Sequence, residues 1–196
     1  MGDIPQANGT ITTLYGCMFS GKTTELLRRL DEYPPGEAAA FKHAVDTRYS
    51  ASRIVSHRGK GRPAIVVRSA EEIAGRIDSR TRIAAIDEAH FFDDGLVEVV
   101  GRLARRGVDV VLTSLHPDSW GRPFSVTSGL LGIAAEAELC LASCARCAAP
   151  ADRTQRLTPI LNGRMVVEPS NYESRCQRCW VPPIMGSSDT SQSSME

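Results

Sequence analysis

Residues 16–23 read GCMFSGKT and fit the phosphate-loop pattern G-x-x-x-x-G-K-[ST] at every required position. Gly16 and Gly21 let the chain turn tightly. The backbone N–H groups of Cys17, Met18, Phe19 and Ser20 can then point inward at phosphate oxygens with no Cβ in the way. Lys22 is spaced to reach the β- and γ-phosphates, and the Thr23 hydroxyl to sit on Mg²⁺. A β-prone run, residues 10–15, precedes the loop. Glu25, Leu26, Leu27, Arg28, Arg29 and Leu30 after it read as an amphipathic helix, whose positive end adds to the anion site. An ordinary Gly-Lys-Thr turn is the competing reading, and it leaves the strand-loop-helix order unexplained.

Working outward, apolar runs at residues 38–42, 64–68, 83–87 and 108–114 read as short buried strands. Between them, residues 71–77 and 95–106 carry apolar side chains at helical spacing. This rhythm predicts an α/β domain with a mostly parallel sheet covered by helices. Residues 45–62, VDTRYSASRIVSHRGKGR, are polar and basic and too long for an ordinary connection. Arg48, Arg53, His57, Arg58, Lys60 and Arg62 there leave three readings open: a solvated loop, a nucleic-acid contact, or side chains that swing over a triphosphate. From Glu136 onward the rhythm stops, and cysteines, turn residues and β-like pieces such as 165–167 take over. The expected organisation is a phosphate-binding domain over 1–140, a metal-held lobe over 141–183 and a disordered tail over 184–196.

The buried run that ends in Asp87-Glu88 delivers acids at a strand's carboxyl end, where sites on open parallel sheets lie. Asp87 is expected to orient Mg²⁺ through water. Glu88, one residue on, points differently and is free to accept a proton from an attacking group. An acidic pair that merely starts a helix is the bland alternative. Asp87-Glu88-Ala89-His90 also spells a helicase signature, but such enzymes need two motor domains and this chain has room for one. His90 reads as a packed histidine. Phe91 and Phe92 read as core residues, or as one core residue and one base-stacking surface.

Cys144-x-x-Cys147 and Cys176-x-x-Cys179 match a zinc ribbon, in which tetrahedral Zn²⁺ joins two turns. With four cysteines filling the coordination sphere, the metal would be structural. A redox role for either pair is disfavoured because neither opens a helix in a thioredoxin-like unit. Cys17 reads as a side chain tolerated in the loop, and Cys140 as a buried apolar residue.

Lys plus Arg equals Asp plus Glu at 23 each, so no global field draws the chain to nucleic acid or an anionic membrane. No run approaches the ~18 apolar residues of a spanning helix, and no signal-like segment opens the sequence. The expectation is a cytoplasmic protein with small partners and no nucleic acid.

Taken together, MFSGKTTELLRR from Met18, KHAVDTRYS from Lys42, IDEAHFF from Ile86, GRPF from Gly121, TQRL from Thr154 and NYESRCQRC from Asn171 resemble the type II (human-cytosolic-like) thymidine kinases over residues 9–183. The resemblance implies a RecA-like phosphate-loop domain with a small zinc-ribbon-like lobe, assembled as a homotetramer. It implies transfer of the γ-phosphate of ATP to the 5′-hydroxyl of thymidine. It makes Glu88 the base and places Met18, Phe91, Leu115, Phe124 and Tyr172 around the nucleoside. Contacts to the base edge would come largely from backbone near Thr154 and in Gly163 to Val167, Met165 included. Arg58 lies near a basic family position. Departures fall in the pocket. Where the family has Leu-Asp and then Phe, this chain has Leu115-His116 and then Ser119, with Trp120 following; the usual Gln is His90, and the Gly-Gly before the substrate tyrosine is replaced near Glu168-Pro169. Adjacent side chains do not project alike, so Trp120 is expected to supply the missing aromatic face only if its loop shifts. The loss of one stacking ring is worth about 1 to 3 kcal/mol and bears on strictness toward thymidine. The reading from another class is a zinc-ribbon nucleic-acid-binding ATPase, in which Glu88 activates water.

Overall fold

Apolar runs too short to be helices line up as one six-stranded sheet in the computed structural model, which describes residues 8–57, 59–158 and 168–183. In chain order its elements are β1 (Ile11–Gly16), α1 (Lys22–Leu30), β2 (Ala38–His43), β3 (Arg53–Val55), β4 (Gly61–Pro63), β5 (Ile65–Val67), α2 (Ala70–Ala74), β6 (Ile83–Asp87), α3 (Gly95–Arg105), β7 (Asp109–Leu115), α4 (Ser125–Ile133) and β8 (Glu136–Leu139). The sheet runs β5-β2-β6-β7-β1-β8, and its pairings are parallel. A parallel sheet must be covered on both faces, which is why β6 is buried along its whole length.

Side-chain alternation sorts the strands onto two cores. Ala84, Ile86, Val110, Leu112 and Phe41 face a core shared with Ile73 of α2, Leu96, Val99 and Leu103 of α3 and Leu130 of α4. Ile83, Ala85, Val111, Leu14 and Ala40 face the opposite way, onto Leu26, Leu27 and Leu30 of α1 and Ile54 of β3. The same parity continues to the strand ends. Asp87 and Thr113 therefore project toward α1, and Ser114 projects toward α4, where its hydroxyl lies 2.6 Å from that of Thr127.

Three expectations are corrected. The rhythm does not stop at Glu136: β8 adds a further parallel strand beside β1. Its sequence, EAEL, is mostly exposed, and the edge is held by charge, with Arg29 of α1 paired to Glu136 and Glu138. Nor are residues 45–62 one irregular loop, because β3 and β4 pair as an antiparallel hairpin whose Ile54 is buried in the α1-side core. α2 is also shorter than the periodicity suggests, since Gly75 takes its C-cap position.

Four short strands follow: β9 (Ala142–Ser143) pairs with β10 (Pro150–Ala151), and β11 (Arg153–Arg156) with β12 (Tyr172–Arg175), both antiparallel. The expected positions Arg58, Gly163, Met165, the β-like run 165–167 and the tail 184–196 lie outside the described residues. Among the described residues no helix is long and apolar enough to cross a membrane.

Phe41 is fully buried in the larger core. Phe41→Ala should lower unfolding free energy by about 3–5 kcal/mol, read as a shift of the denaturant midpoint without a change in slope. A loss under about 1 kcal/mol would mean that this core is not packed around the ring.

Candidate active site

At the carboxyl end of β1 the chain turns through Gly16, whose φ is 145°. A Cβ there would lie 2.2 Å from the carbonyl oxygen of Cys140, so both the backbone angle and the space demand glycine. Gly21 (φ 85°) then starts α1, leaving Lys22 and Thr23 in its first turn. The Lys22 ammonium is buried and donates to the carbonyls of Cys17 (2.6 Å) and Gly16 (3.2 Å) and to Ser20 Oγ (3.3 Å). A cation held by loop oxygens at a helix N-terminus makes this corner electropositive.

Opposite it stands the acidic pair, and β7, inserted between β1 and β6, organises it. Thr113 Oγ1 donates to Asp87 Oδ1 (2.6 Å) and accepts the Glu88 N–H (2.8 Å). Thr23 Oγ1 donates to the same Asp87 oxygen at 3.1 Å. Thr23 and Asp87, expected to share Mg²⁺, are thus in direct contact, and their hard oxygen donors suit that ion. Glu88 leaves the strand with φ 52°, a left-handed conformation that costs energy for a non-glycine residue and redirects its carboxylate away from Asp87.

The two carboxylates experience opposite environments. Burial, reinforced by the negative charge of Glu88, pushes the Asp87 carboxyl up. Burial would raise Glu88 too, but the Arg48 guanidinium outweighs it, aided by Lys22, and holds Glu88 ionised. Arg48 Nη2 lies 2.7 Å from Glu88 Oε1, while Arg48 Nε lies 2.8 Å from Asp46 Oδ1. Lys42, itself buried, ties this segment down by donating to the carbonyls of Ser50 (2.7 Å) and Arg53 (3.2 Å). Arg48 is therefore not a solvated loop charge, its side chain being only 11% exposed, whereas Arg53 and His57 of the same stretch are exposed.

Two cavities meet at this point. One, about 530 Å³, follows residues 18–25 and is lined further by Lys42, Arg48, Arg53, His57, Asp87 and Glu88. The other, about 180 Å³, is enclosed by Met18, Phe91, Leu115, Phe124, Thr154 and Tyr172, the described residues expected around a nucleoside. Met18, Arg48 and Glu88 line both. His90 also walls the smaller cavity, packed at a tilt against Phe91 (4.4 Å) and Phe124 (5.1 Å), with Nδ1 accepting the Leu115 N–H at 3.2 Å. Burial drives its pKa down to about 4, so the ring is neutral near pH 7.

The pocket departures fall out differently from one another. His116 does not line the cavity; its ring packs edge-on to Tyr15 at 6.0 Å. Ser119 and Trp120 both line it, although they are adjacent in sequence, and Arg122 lies 4.7 Å over the Trp120 ring. The loop that carries them is closed by Asp118 Oδ1, which accepts the N–H groups of Trp120 (2.9 Å) and Arg122 (2.8 Å).

The small lobe joins the site through β11 and β12, which bring Thr154 and Tyr172 to the cavity. Cys17 is not merely tolerated. Its thiol is buried and donates to the carbonyl of Ala151 (3.4 Å), while the next residue's N–H, Met18, donates to Thr154 Oγ1 (3.1 Å). Behind these strands the four cysteines converge. Their sulfurs lie within 4.8 Å of one another, with Cys147–Cys176 at 3.6 Å and Cys147–Cys179 at 3.7 Å. Four sulfurs about 2.3 Å from a tetrahedral Zn²⁺ stand about 3.8 Å apart, so this cluster could hold zinc. Backbone N–H groups, that of Cys176 foremost, pull the Cys144 thiol down, whereas the hydrogen bonds that the Cys179 thiol donates to Cys176 and Cys147 hold its proton. A bound dication would relieve that competition among thiols.

Asp46, Lys42, Thr113 and Arg156 lie at or beside the two cavities and were not singled out by the motif reading, while Arg48 was named only among three open readings of its stretch. Thr113 sits in an apolar β run, whose local context names no role, and the basic stretch around Arg48 leaves its role undecided. The Thr113 hydroxyl acquires its meaning from strand order.

A family model for thymidine kinase matches residues 9–180. The chain belongs to the thymidine kinase family and is a nucleoside kinase.

Elemental analysis of the purified protein should find about one zinc per chain, with Cys176→Ser stripped of most metal and melting at lower temperature. Full stability in a metal-free preparation would remove the structural role. Thr113→Val keeps the strand's shape but leaves Asp87 and the Glu88 N–H without this partner, and should reduce turnover about tenfold or more.

Proposed function

We propose that this kinase transfers the γ-phosphate of ATP to the 5′-hydroxyl of thymidine, with deoxyuridine as a lesser substrate. One observation carries the reading: Glu88 lies where the polar cavity along the phosphate loop meets the aromatic cavity. A donor phosphate chain in the first and a nucleoside in the second would bring the γ-phosphorus and the 5′-oxygen together at its carboxylate.

In this mechanism the loop N–H groups and Lys22 bind the β- and γ-phosphates. Thr23 and Asp87 would hold Mg²⁺, which supplies charge neutralisation on those phosphates when bound. Glu88 orients the 5′-hydroxyl and takes its proton. Arg48 keeps that carboxylate ionised, and the loose transition state of phosphoryl transfer asks for positioning and electrostatics more than for a strong base. Phe91, Phe124 and Tyr172 enclose the base, with Gly163 and Met165 contributing backbone contacts. The Trp120 ring on the wall offsets part of what Ser119 lacks, which supports a retained preference for a pyrimidine.

The largely buried Arg48, with Arg53 at the rim of the same cavity, supports a phosphate-binding role over a nucleic-acid surface. Residues 1–140 act as the donor domain, residues 141–183 close over the nucleoside around structural zinc, and residues 184–196 are a tail. The reading extends to a cytoplasmic homotetramer working in nucleotide salvage.

Glu88→Gln should cut thymidine turnover about a hundredfold or more while binding of a non-hydrolysable ATP analogue stays within about threefold of wild type. Unchanged turnover would remove Glu88 from its role. Failure of the wild-type protein with ATP and Mg²⁺ to phosphorylate any deoxynucleoside would refute the activity itself.

A further inference from the structure

Phosphate loops use their backbone N–H groups to cradle phosphate, yet here Met18 directs its N–H to Thr154 Oγ1 of the small lobe, at 3.1 Å. The preceding residue makes a second tie in the same direction, Cys17 Sγ to the Ala151 carbonyl at 3.4 Å. Both ties are buried or partly buried, and Thr154 is 1% exposed. The two lobes are thus joined through the first residues of the phosphate loop itself.

Thr154 has a second connection. It stands in β11, whose partner β12 carries Tyr172, with Thr154 opposite Ser174 and Arg156 opposite Tyr172. Thr154 and Tyr172 line the aromatic cavity, and Met18 lines that cavity and the phosphate cavity alike. A molecule seated against Tyr172 and Thr154 would fix the β11–β12 hairpin. A fixed β11 fixes the acceptor for the Met18 N–H, and with it the entry to the phosphate loop.

We infer that Thr154 is a positioning residue that couples the two substrates: through the Met18 N–H, occupation of the nucleoside cavity orders the phosphate loop for the donor nucleotide. This rests on the proposed two-cavity reaction. The threonine hydroxyl acts on the donor side without touching the donor. By reciprocity, the donor nucleotide tightens nucleoside binding by the same factor. Ordering paid for by the first ligand is not paid again by the second, which is the physical source of the coupling.

The test compares Thr154→Val, which keeps the shape but loses the acceptor, with Thr154→Ser, which keeps the acceptor. Calorimetry with the Mg²⁺ complex of a non-hydrolysable ATP analogue is run on zinc-loaded protein, without thymidine and with thymidine saturating for each variant. In wild type, thymidine should tighten analogue binding by about fivefold or more, in the range of ordinary coupling energies. In Thr154→Val the factor should fall to within about twofold of one, while Thr154→Ser keeps most of it. A wild-type factor near one, or an undiminished factor in Thr154→Val, overturns the inference. A residue that only walls the nucleoside cavity would change thymidine affinity and leave this factor alone. Hydrogen exchange at the Met18 amide, measured without ligands, gives an arm independent of the reaction: faster exchange in Thr154→Val supports the tie, and unchanged exchange overturns it. If wild-type protein phosphorylates no nucleoside, the proposed function fails, and that result is separate from the exchange result.

Discussion

One hydroxyl holds the reacting end of the sheet together. Thr113 reaches Asp87 with its proton and takes the Glu88 N–H on its oxygen, and it can do so because β7 lies between the phosphate-loop strand and the acidic strand. Without that bridge, two neighbouring acids at the end of a buried strand would face each other with desolvation unrelieved. With it, Asp87 is turned toward Thr23 on the α1 side. Glu88 is taken out of the strand by a left-handed turn, and the two carboxylates enter different electrostatic surroundings.

The second half of that separation comes from the segment after β2. Lys42, Asp46 and Arg48 are charges that would be costly to bury singly, but each finds a partner: Lys42 on loop carbonyls, Asp46 on Arg48, Arg48 on Glu88. The net effect is a guanidinium fixed against the carboxylate that lies where the cavities meet. Truncating Arg48 would take the guanidinium from Glu88 and Asp46 together, so the cluster rigidifies the site as it tunes it.

The small lobe is too small to build a core of its own. The buried members of its apolar cluster are Cys144, Ala151 and Cys176, and the cysteine cluster supplies the cross-link that burial cannot. Its attachment falls on the phosphate-loop motif and the cavity wall: β10 and β11 meet Cys17 and Met18, and the Trp180 ring packs against Gly121 of the loop that carries Ser119 and Trp120. The aromatic cavity is therefore a seam between lobes, closed by contacts that involve the phosphate loop.

By itself the sequence determined the elements whose chemistry is local. GCMFSGKT declares its function because the required glycines and lysine are contiguous, Asp87-Glu88 because a buried run ends in charge, and the cysteine pairs because metal spacing is short-range. It also foretold the α/β rhythm, since buried parallel strands are apolar throughout. Strand order, β8 and the β3–β4 hairpin were left to the tertiary structure. An exposed strand such as EAEL lacks the apolar signature, and Ile54 marks a hairpin only once α1 lies over it. The same holds for Arg48, which reads as a solvated charge until Asp46 and Glu88 surround it, and for Trp120, whose place beside Ser119 on the cavity wall depends on how the loop is closed by Asp118. Local covalent spacing can encode a phosphate loop or a metal knuckle. The pairing of charges and rings from distant segments exists only after the sheet has brought them together.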